Sequence, residues 1–344
     1  MTDKYKNKSI ISVAPTRIGL SGGGTDIEDY FKYHSGSCIN FTINIYVRTL
    51  IKKINSTKIH VISNDLNAQW IGKQKDLSKL KKINLVYGVL RFLSEKFKLN
   101  YEGVKIQIMS DAPKGSGIGG SSAIVVSLMK GLIEFYGINC TKKDIAKYSY
   151  IAERKYSMIP GGKQDQYASV YGGINYFYFN KDDSVSIKKI KINRNIENFI
   201  NNNILLVYLR NKRESLNIIN DQIMRMNNNL NSFKKIKKNN SILYKSLVNN
   251  KFNKISEIIN NSWKEKKNTS KNISNNLIDG YVKKFLSLGS TGVKISGAGG
   301  GGFFLIIIKP ELRNEIIKFV KNSKNLNLYL PNLEKKGVFV YLND

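Results

Sequence analysis

Glycine in this 344-residue chain gathers into three short segments, each able to bring backbone amides against an anionic ligand. Structural glycines usually serve one turn or one helix cap apiece, so runs of them mark backbone that must come close to something. The middle segment is Pro113-Lys114-Gly115-Ser116-Gly117-Ile118-Gly119-Gly120-Ser121-Ser122-Ala123. It links a strand ending at Met109 to a strongly apolar helix. Small residues there leave consecutive amides unobstructed, and the helix beginning near Gly120 adds its positive dipole end. Together they predict a cradle for a di- or triphosphate. Ser121 and Ser122 fall on the first helical turn, where a hydroxyl can cap the helix or reach a bound Mg²⁺.

Gly115, Gly117 and Gly120 match the spacing of the dinucleotide fingerprint, but their context excludes it. That fingerprint follows its strand at once and is trailed by an acidic residue ending the next strand. Here a Ser-Asp-Ala-Pro-Lys link intervenes, and a second helix follows the first. The nucleoside-triphosphatase P-loop is excluded too, because no Gly-Lys-Ser/Thr stands at the required spacing.

The first glycine segment runs Ala14-Pro15-Thr16-Arg17-Ile18-Gly19-Leu20-Ser21-Gly22-Gly23-Gly24-Thr25-Asp26, from a strand into a helix. Gly22, Gly23 and Gly24 would let a ligand approach the backbone, Asp26 would accept hydrogen bonds from its hydroxyls, and Arg17 offers a rigid fork for phosphate or carboxylate. Thr25 or Asp26 can also cap the helix. The third segment, Lys294-Ile295-Ser296-Gly297-Ala298-Gly299-Gly300-Gly301-Gly302, lies inside a strand pair. Its glycine run exceeds what a hairpin turn needs, which points to a loop closing over a ligand. Asp165 follows the Gly161-Gly162 turn between Gln164 and Gln166, so a defined loop can aim its carboxylate as a general base. Lys114 and Lys163 are further candidates for anion contacts. His34 and His60 fall outside these segments, and no Ser-His-Asp or metal-ligand His/Cys spacing competes.

The elements that must position these groups read as strands first and helices later. Strands are predicted at 10–14, 37–51, 58–63, 104–109, 174–179 and 186–192, with helices at 83–97, 120–136 and 142–156. A strand at 204–209 opens the second half. Helices follow at 215–230, 233–248, 254–266 and 277–288, then strands at 293–296 and 303–308, a helix at 310–322 and a strand at 338–342. This order predicts an α+β protein of two lobes, residues 1–190 and 191–344.

Composition narrows the setting. The formal charge is +31, but the lysines are spread along the chain among Asn and Ile, with no basic block interleaved with aromatics. A diffusely basic surface that tolerates anionic small substrates is expected, rather than a nucleic-acid-binding protein. The apolar run Phe303 to Ile308 is far shorter than the roughly 20 residues of a spanning helix. The hydrophilic start, Met1 to Lys6, resembles no secretion signal, and Cys38 and Cys140 suggest no disulfide framework. A soluble, cytoplasmic protein is expected, with no membrane partner; the oligomeric state is not legible.

In their order, spacing and layout the three segments resemble the signature motifs of the GHMP kinases, and the resemblance spans nearly the whole chain. The middle motif differs from the usual P-x-x-x-G-L-G-S-S-A by Ile118 for Leu and Gly120 for a serine, swaps that keep the cradle's shape. The galactokinase form of the first motif is absent. The form present looks like that of the D-glycero-D-manno-heptose 7-phosphate kinases and related fucokinase domains. Ile151-Ala152-Glu153-Arg154-Lys155 and Pro160-Gly161-Gly162-Lys163-Gln164-Asp165-Gln166-Tyr167-Ala168 support this, because heptose-phosphate kinases carry a similar Gly-Gly-x-Gln-Asp-Gln stretch.

The resemblance implies an N-terminal lobe like ribosomal protein S5, a ferredoxin-like C-terminal lobe and an active site between them. It implies that residues 113–122 hold the phosphates of ATP, that Ser121 and Glu153 bind Mg²⁺, and that Asp165 is the base. Arg17 would contact the acceptor's phosphate or the transferring group. Gly22 to Asp26, Gly162, Gln164, Gly297, Gly299 and Gly300 would surround the acceptor. The implied reaction moves the γ-phosphoryl of ATP to the anomeric hydroxyl of heptose 7-phosphate, giving the 1,7-bisphosphate. A fucokinase-like enzyme acting on an unphosphorylated sugar is the alternative within the fold, and a basic nucleic-acid-binding protein the alternative outside it.

Overall fold

The computed structural model describes residues 9–80, 83–210 and 215–343; the hydrophilic start at Met1 to Lys6 lies outside them. In chain order the first lobe carries β1 (Ser9–Ser21), α1 (Glu28–His34), β2 (Gly36–Lys53), β3 (Ile59–Ser63), β4 (Ala68–Gly72), α2 (Asn84–Phe97), β5 (Val104–Ser110), α3 (Gly120–Phe135), α4 (Lys142–Ile151), α5 (Gln164–Tyr171), β6 (Ile174–Phe179) and β7 (Val185–Ile190). The second carries α6 (Arg194–Asn203), β8 (Ile204–Leu209), α7 (Ser215–Met224), α8 (Leu230–Val248), α9 (Ile255–Asn268), α10 (Asn276–Ser287), β9 (Ser290–Ile295), β10 (Gly302–Ile308), α11 (Arg313–Lys321) and β11 (Leu326–Tyr329). The closing strand β12 (Phe339–Asn343) returns to the first lobe and pairs antiparallel with β1. The sequence places that strand in the second lobe, because chain order alone cannot show a return to the opening strand.

The first sheet is ordered β12-β1-β2-β5-β3-β4, with β6 bridging β2 and β7. The long β2 makes this possible: its first part pairs with β6 and its last part with β5. The second sheet is ordered β11-β8-β10-β9, which is fourth, first, third and second in its own chain order, the ferredoxin-like arrangement. The expected two-lobed α+β architecture is therefore the one observed.

Three cores hold this frame. Val47, Ile51, Ile106 and Ile108 of the first sheet pack on Val125, Leu128 and Leu132 of α3 and on Val89 and Leu93 of α2. A second core is shared between the lobes: Ile18, Leu20, Ile39 and Phe41 meet Leu206, Leu243, Phe303 and Leu305. The third lies under the second sheet, where Phe304 and Ile306 face Phe285 and Ile316. Because the shared core lies under β1 and β10, the ends of these strands are fixed relative to one another. The glycine segments flank those ends.

Two departures from the sequence reading bear on the site. Strand β1 runs on to Ser21 rather than stopping at Ala14. Pro15 sits at a register shift between Pro15 and Thr16, where no ladder donor is needed, and the strand resumes beyond it. Helix α4 does not continue regularly to Tyr156; Ala152–Tyr156 forms a π turn. Gly88 on α2 lets this wider turn approach, since a Cβ there would lie 2.0 Å from Ser157 Oγ and 2.7 Å from the Ala152 carbonyl. Single π turns inside helices often mark functional sites, and this one turns Glu153 inward.

Candidate active site

A cavity of about 390 Å³ lies where the glycine segments meet. The middle segment forms one wall. Gly115, Gly117 and Gly119 take positive φ (70°, 78° and 79°), so alternate peptides turn their amides one way. Gly119 is the N-cap of α3 and no side chain caps that helix, which leaves its first-turn amides to the cavity. Pro113 to Gly117 and Gly119 to Ser122 line the wall, whereas Ile118 is buried in the core shared between the lobes. Leu66, Leu85 and Ile124 also line the cavity and give it apolar surface.

Asp165 stands on the first turn of α5, facing the cradle: a Cβ on Gly119 would lie 3.4 Å from its Oδ2. Arg17, carried in by the extension of β1, donates to Asp165 Oδ1 from Nε at 2.8 Å and from Nη2 at 2.5 Å. Its Nη1 donates to the Gly117 carbonyl at 2.8 Å, and its backbone N–H to the Ile118 carbonyl at 2.9 Å. Arg17 is buried, while Asp165 keeps a fifth of its side chain exposed to the cavity. The guanidinium is thus engaged with the carboxylate and the cradle, at the cavity wall where the resemblance implies contact with the acceptor's phosphate or the transferring group. A buried arginine fork of this kind fixes a carboxylate in one orientation.

Asp26 closes the opposite side. Its Oδ1 accepts from Gly24 N–H at 2.9 Å and from Gln164 Nε2 at 3.3 Å, and its Oδ2 accepts from Gln164 N–H at 3.2 Å. Gly162 has to be glycine, because a Cβ there would fall 1.8 Å from Asp26 Oδ2. Asp26 therefore clasps the first segment to the loop that presents Asp165, and its carboxylate also lines the cavity.

Glu153 is buried, with 1% of its side chain exposed. Oε2 accepts from Ser122 Oγ at 2.7 Å and Gln166 Nε2 at 2.6 Å; Oε1 accepts from Ser121 Oγ at 3.3 Å and lies 3.2 Å from Arg154 Nη1. Ser121 and Glu153 both line the cavity beside the cradle. A hydroxyl and a carboxylate 3.3 Å apart fit a small hard cation that keeps most of its waters. Among the described residues no group of three or more His, Cys, Asp or Glu side chains could hold a metal ion, so no all-protein cage competes.

The second lobe covers the cradle. Phe303 N–H donates to the Ser116 carbonyl at 3.0 Å, and a Cβ on Gly297 (φ 79°) would lie 2.5 Å from the Gly117 carbonyl. Gly297 and Ala298 line the cavity; Gly299 and Gly300 instead pack on Ile273 and Ile218. Gly22 and Thr25 are also structural. A Cβ on Gly22 would lie 2.1 Å from the Ser37 carbonyl, and Thr25 Oγ1 bonds Gly22 and Ser37. Gly23 lies beside Gln164 Nε2 and Lys266 Nζ. Lys163 turns away from the cavity to Asp183 and the Phe31 ring. Burial pushes its ammonium's pKa down. Lys114 remains on the cavity wall.

Three cavity-side contributors received no role from the sequence: Gln166, Arg154 and Lys266. Gln166 and Arg154 flank residues already singled out. Lys266 comes from α9, far along the chain, with no motif around it.

A glycine-rich cradle, a Ser–Glu pair and an arginine-held carboxylate around one cavity are compatible with phosphoryl transfer. The family models of the N-terminal and C-terminal domains of the GHMP kinases match residues 84–173 and 243–325, half of the chain between them. A D-glycero-alpha-D-manno-heptose 7-phosphate kinase of Campylobacter jejuni is 29% identical over 92% of this chain and 94% of its own length. A mevalonate kinase of Methanocaldococcus jannaschii is 28% identical over 93% and 98%. The crystal structure of a D-glycero-D-manno-heptose 1-phosphate kinase from Bacteroides thetaiotaomicron superposes with a TM-score of 0.82 at 26% identity, covering 96% of this chain and 98% of that one. The chain belongs to the GHMP kinases and is an ATP-dependent phosphotransferase. Among the described residues no helix is long and apolar enough to cross a membrane.

Proposed function

We propose that this enzyme transfers the γ-phosphoryl group of ATP to the anomeric hydroxyl of a heptose 7-phosphate, giving the 1,7-bisphosphate, with Asp165 as the base. The observation that carries the chemistry is the position of Asp165, 3.4 Å from a Cβ placed on Gly119 and held by Arg17. A hydroxyl oxygen lying between that carboxylate and the cradle would be in line with a γ-phosphorus held by the Gly115–Gly119 amides. Its proton would pass to Asp165 as the new P–O bond forms and the bond to the leaving ADP oxygen breaks. Asp26, Gln164 and Gly24 would orient the remaining sugar hydroxyls. Leu66, Leu85 and Ile124 would take the purine. Ser121 and Glu153 would hold Mg²⁺, which when bound supplies neutralisation of phosphate charge.

The acceptor rests on the Campylobacter jejuni relative, whose similarity runs the length of both chains. The Bacteroides neighbour is named for a 1-phosphate, so the two names differ in the position of the phosphate. ADP release with Mg-ATP across heptose 7-phosphate, free heptose, mannose, fucose, galactose and mevalonate separates the readings. Turnover confined to the 7-phosphate is expected; preferred use of free heptose or fucose would move the acceptor to the unphosphorylated sugars.

A further inference from the structure

We propose that Arg154 is a positioning residue that ties Glu153 to the turn at residues 159–162. It holds the acceptor side of the cavity in place and, as a fixed positive charge beside Glu153, limits how tightly the metal site binds. This rests on the reading that Ser121 and Glu153 hold Mg²⁺, but not on which sugar is the acceptor.

Sequence neighbours on a regular helix do not face one another. The π turn at Ala152–Tyr156 nevertheless brings Glu153 and Arg154 to one cavity wall. The Arg154 side chain is only 12% exposed. Its Nη1 donates to the Ile159 carbonyl at 3.0 Å, and its Nη2 to the Gly162 carbonyl at 3.0 Å. Nη1 also lies 3.2 Å from Glu153 Oε1, the oxygen that faces Ser121. Gly161 is pressed against the guanidinium, since a Cβ there would lie 2.8 Å from Cζ. Nε is buried with no hydrogen-bond partner among the described residues. The side chain gives up that donor to place the other two, which marks the two carbonyls as what sets its orientation.

The turn it grips shapes the acceptor side. Ile159, Pro160, Gly161 and Gly162 line the cavity, Gly162 abuts Asp26, and Gln164 bonds the Asp26 carboxylate. A rigid fork on two carbonyls of this turn fixes its distance from Asp26. Asp165 has its own anchor in Arg17. Loss of Arg154 should therefore fall on acceptor binding more than on the chemical step.

The same charge opposes a cation at Glu153. A guanidinium 3.2 Å from Oε1 shares that oxygen with any metal that Glu153 and Ser121 hold, and like charges so close repel. Removing Arg154 thus predicts two changes of opposite sense, tighter metal and weaker acceptor. A merely structural loss would weaken both.

Arg154→Met removes the charge and both donors while keeping an apolar stem. KM for heptose 7-phosphate should rise about 10-fold, with kcat within about threefold of wild type. A second readout needs no sugar: ADP affinity is measured by calorimetry with and without Mg²⁺. The gain that Mg²⁺ confers should be larger in Arg154→Met than in wild type, by about threefold or more. Arg154→Lys returns the charge without the fork, so the Mg²⁺ gain should return to the wild-type value while KM stays raised. An unchanged KM in Arg154→Met, or a Mg²⁺ gain no larger than in wild type, overturns the proposal. If Arg154→Met does not fold, Arg154→Lys decides. A raised KM with a wild-type Mg²⁺ gain supports the proposal, and a KM within about twofold of wild type overturns it. Glu153→Gln tests the underlying reading separately: an undiminished Mg²⁺ gain there removes the metal from Glu153 and overturns the proposal with it. If no sugar in the panel turns over, the acceptor reading fails while the Mg²⁺ gain still decides Arg154.

Discussion

Asp165→Asn is expected to lower kcat by about 10²-fold or more while leaving ATP affinity within about a factor of two. Asparagine keeps the shape and still offers Arg17 an oxygen, so the 2.8 Å contact from Nε can persist and the loop need not move. What is lost is the ability to take a proton from the attacking hydroxyl. The transferring group passes through a loose transition state in which little proton transfer has occurred. The base therefore matters chiefly for orienting the hydroxyl and trapping the proton, and a residual rate should survive. Steady-state kinetics paired with calorimetric ATP binding check this. Near-normal turnover would remove Asp165 from the mechanism.

Glu153→Gln should raise the Mg²⁺ concentration for half-maximal activity by at least about 10-fold and lower stability by about 3 kcal/mol. The buried carboxylate accepts from Ser122 and Gln166 on one oxygen, and its other oxygen faces Ser121 and Arg154. A carboxamide must turn an NH₂ toward one of these sets of donors, and Arg154 loses a buried counter-charge. Glu153→Asp keeps the charge and separates the two effects: the Mg²⁺ response should recover more than the melting temperature. A Mg²⁺ titration of activity beside a thermal melt decides it. An unchanged Mg²⁺ response in Glu153→Gln would leave Glu153 a purely structural anchor for Ser122 and Gln166.

Much of this site is legible in the sequence because glycine's requirements are local. Gly115, Gly117 and Gly119 take positive φ within a few residues of one another, and any chain needing that backbone must write it as glycine. The same locality misleads elsewhere. Gly22, Gly299 and Gly300 look like ligand-facing glycines, yet each is small because other protein atoms press on it. Cβ-free positions reveal close approach without saying to what.

The remaining groups depend on contacts distant in sequence. Arg17 reaches Asp165 only because β1 passes through Pro15 at a register shift. Glu153 faces inward only because α4 gives way to a π turn. In a chain with 56 Lys and Arg residues nothing distinguishes Lys266 from the rest until α9 folds against the Gly297 loop, nor Lys163 until it pairs with Asp183. The α+β, two-lobed layout follows from element order, although strands β4 and β11 do not. The return of β12 to β1 does not either, since it depends on pairing the last strand with the first.

The most direct test of the account is ³¹P NMR of the product formed from Mg-ATP and heptose 7-phosphate. A sugar bearing its original phosphate plus a new one coupled to the anomeric proton, appearing in step with ADP, is the predicted result. Inorganic phosphate as the only new species, or a second phosphate on any other hydroxyl, would contradict the account.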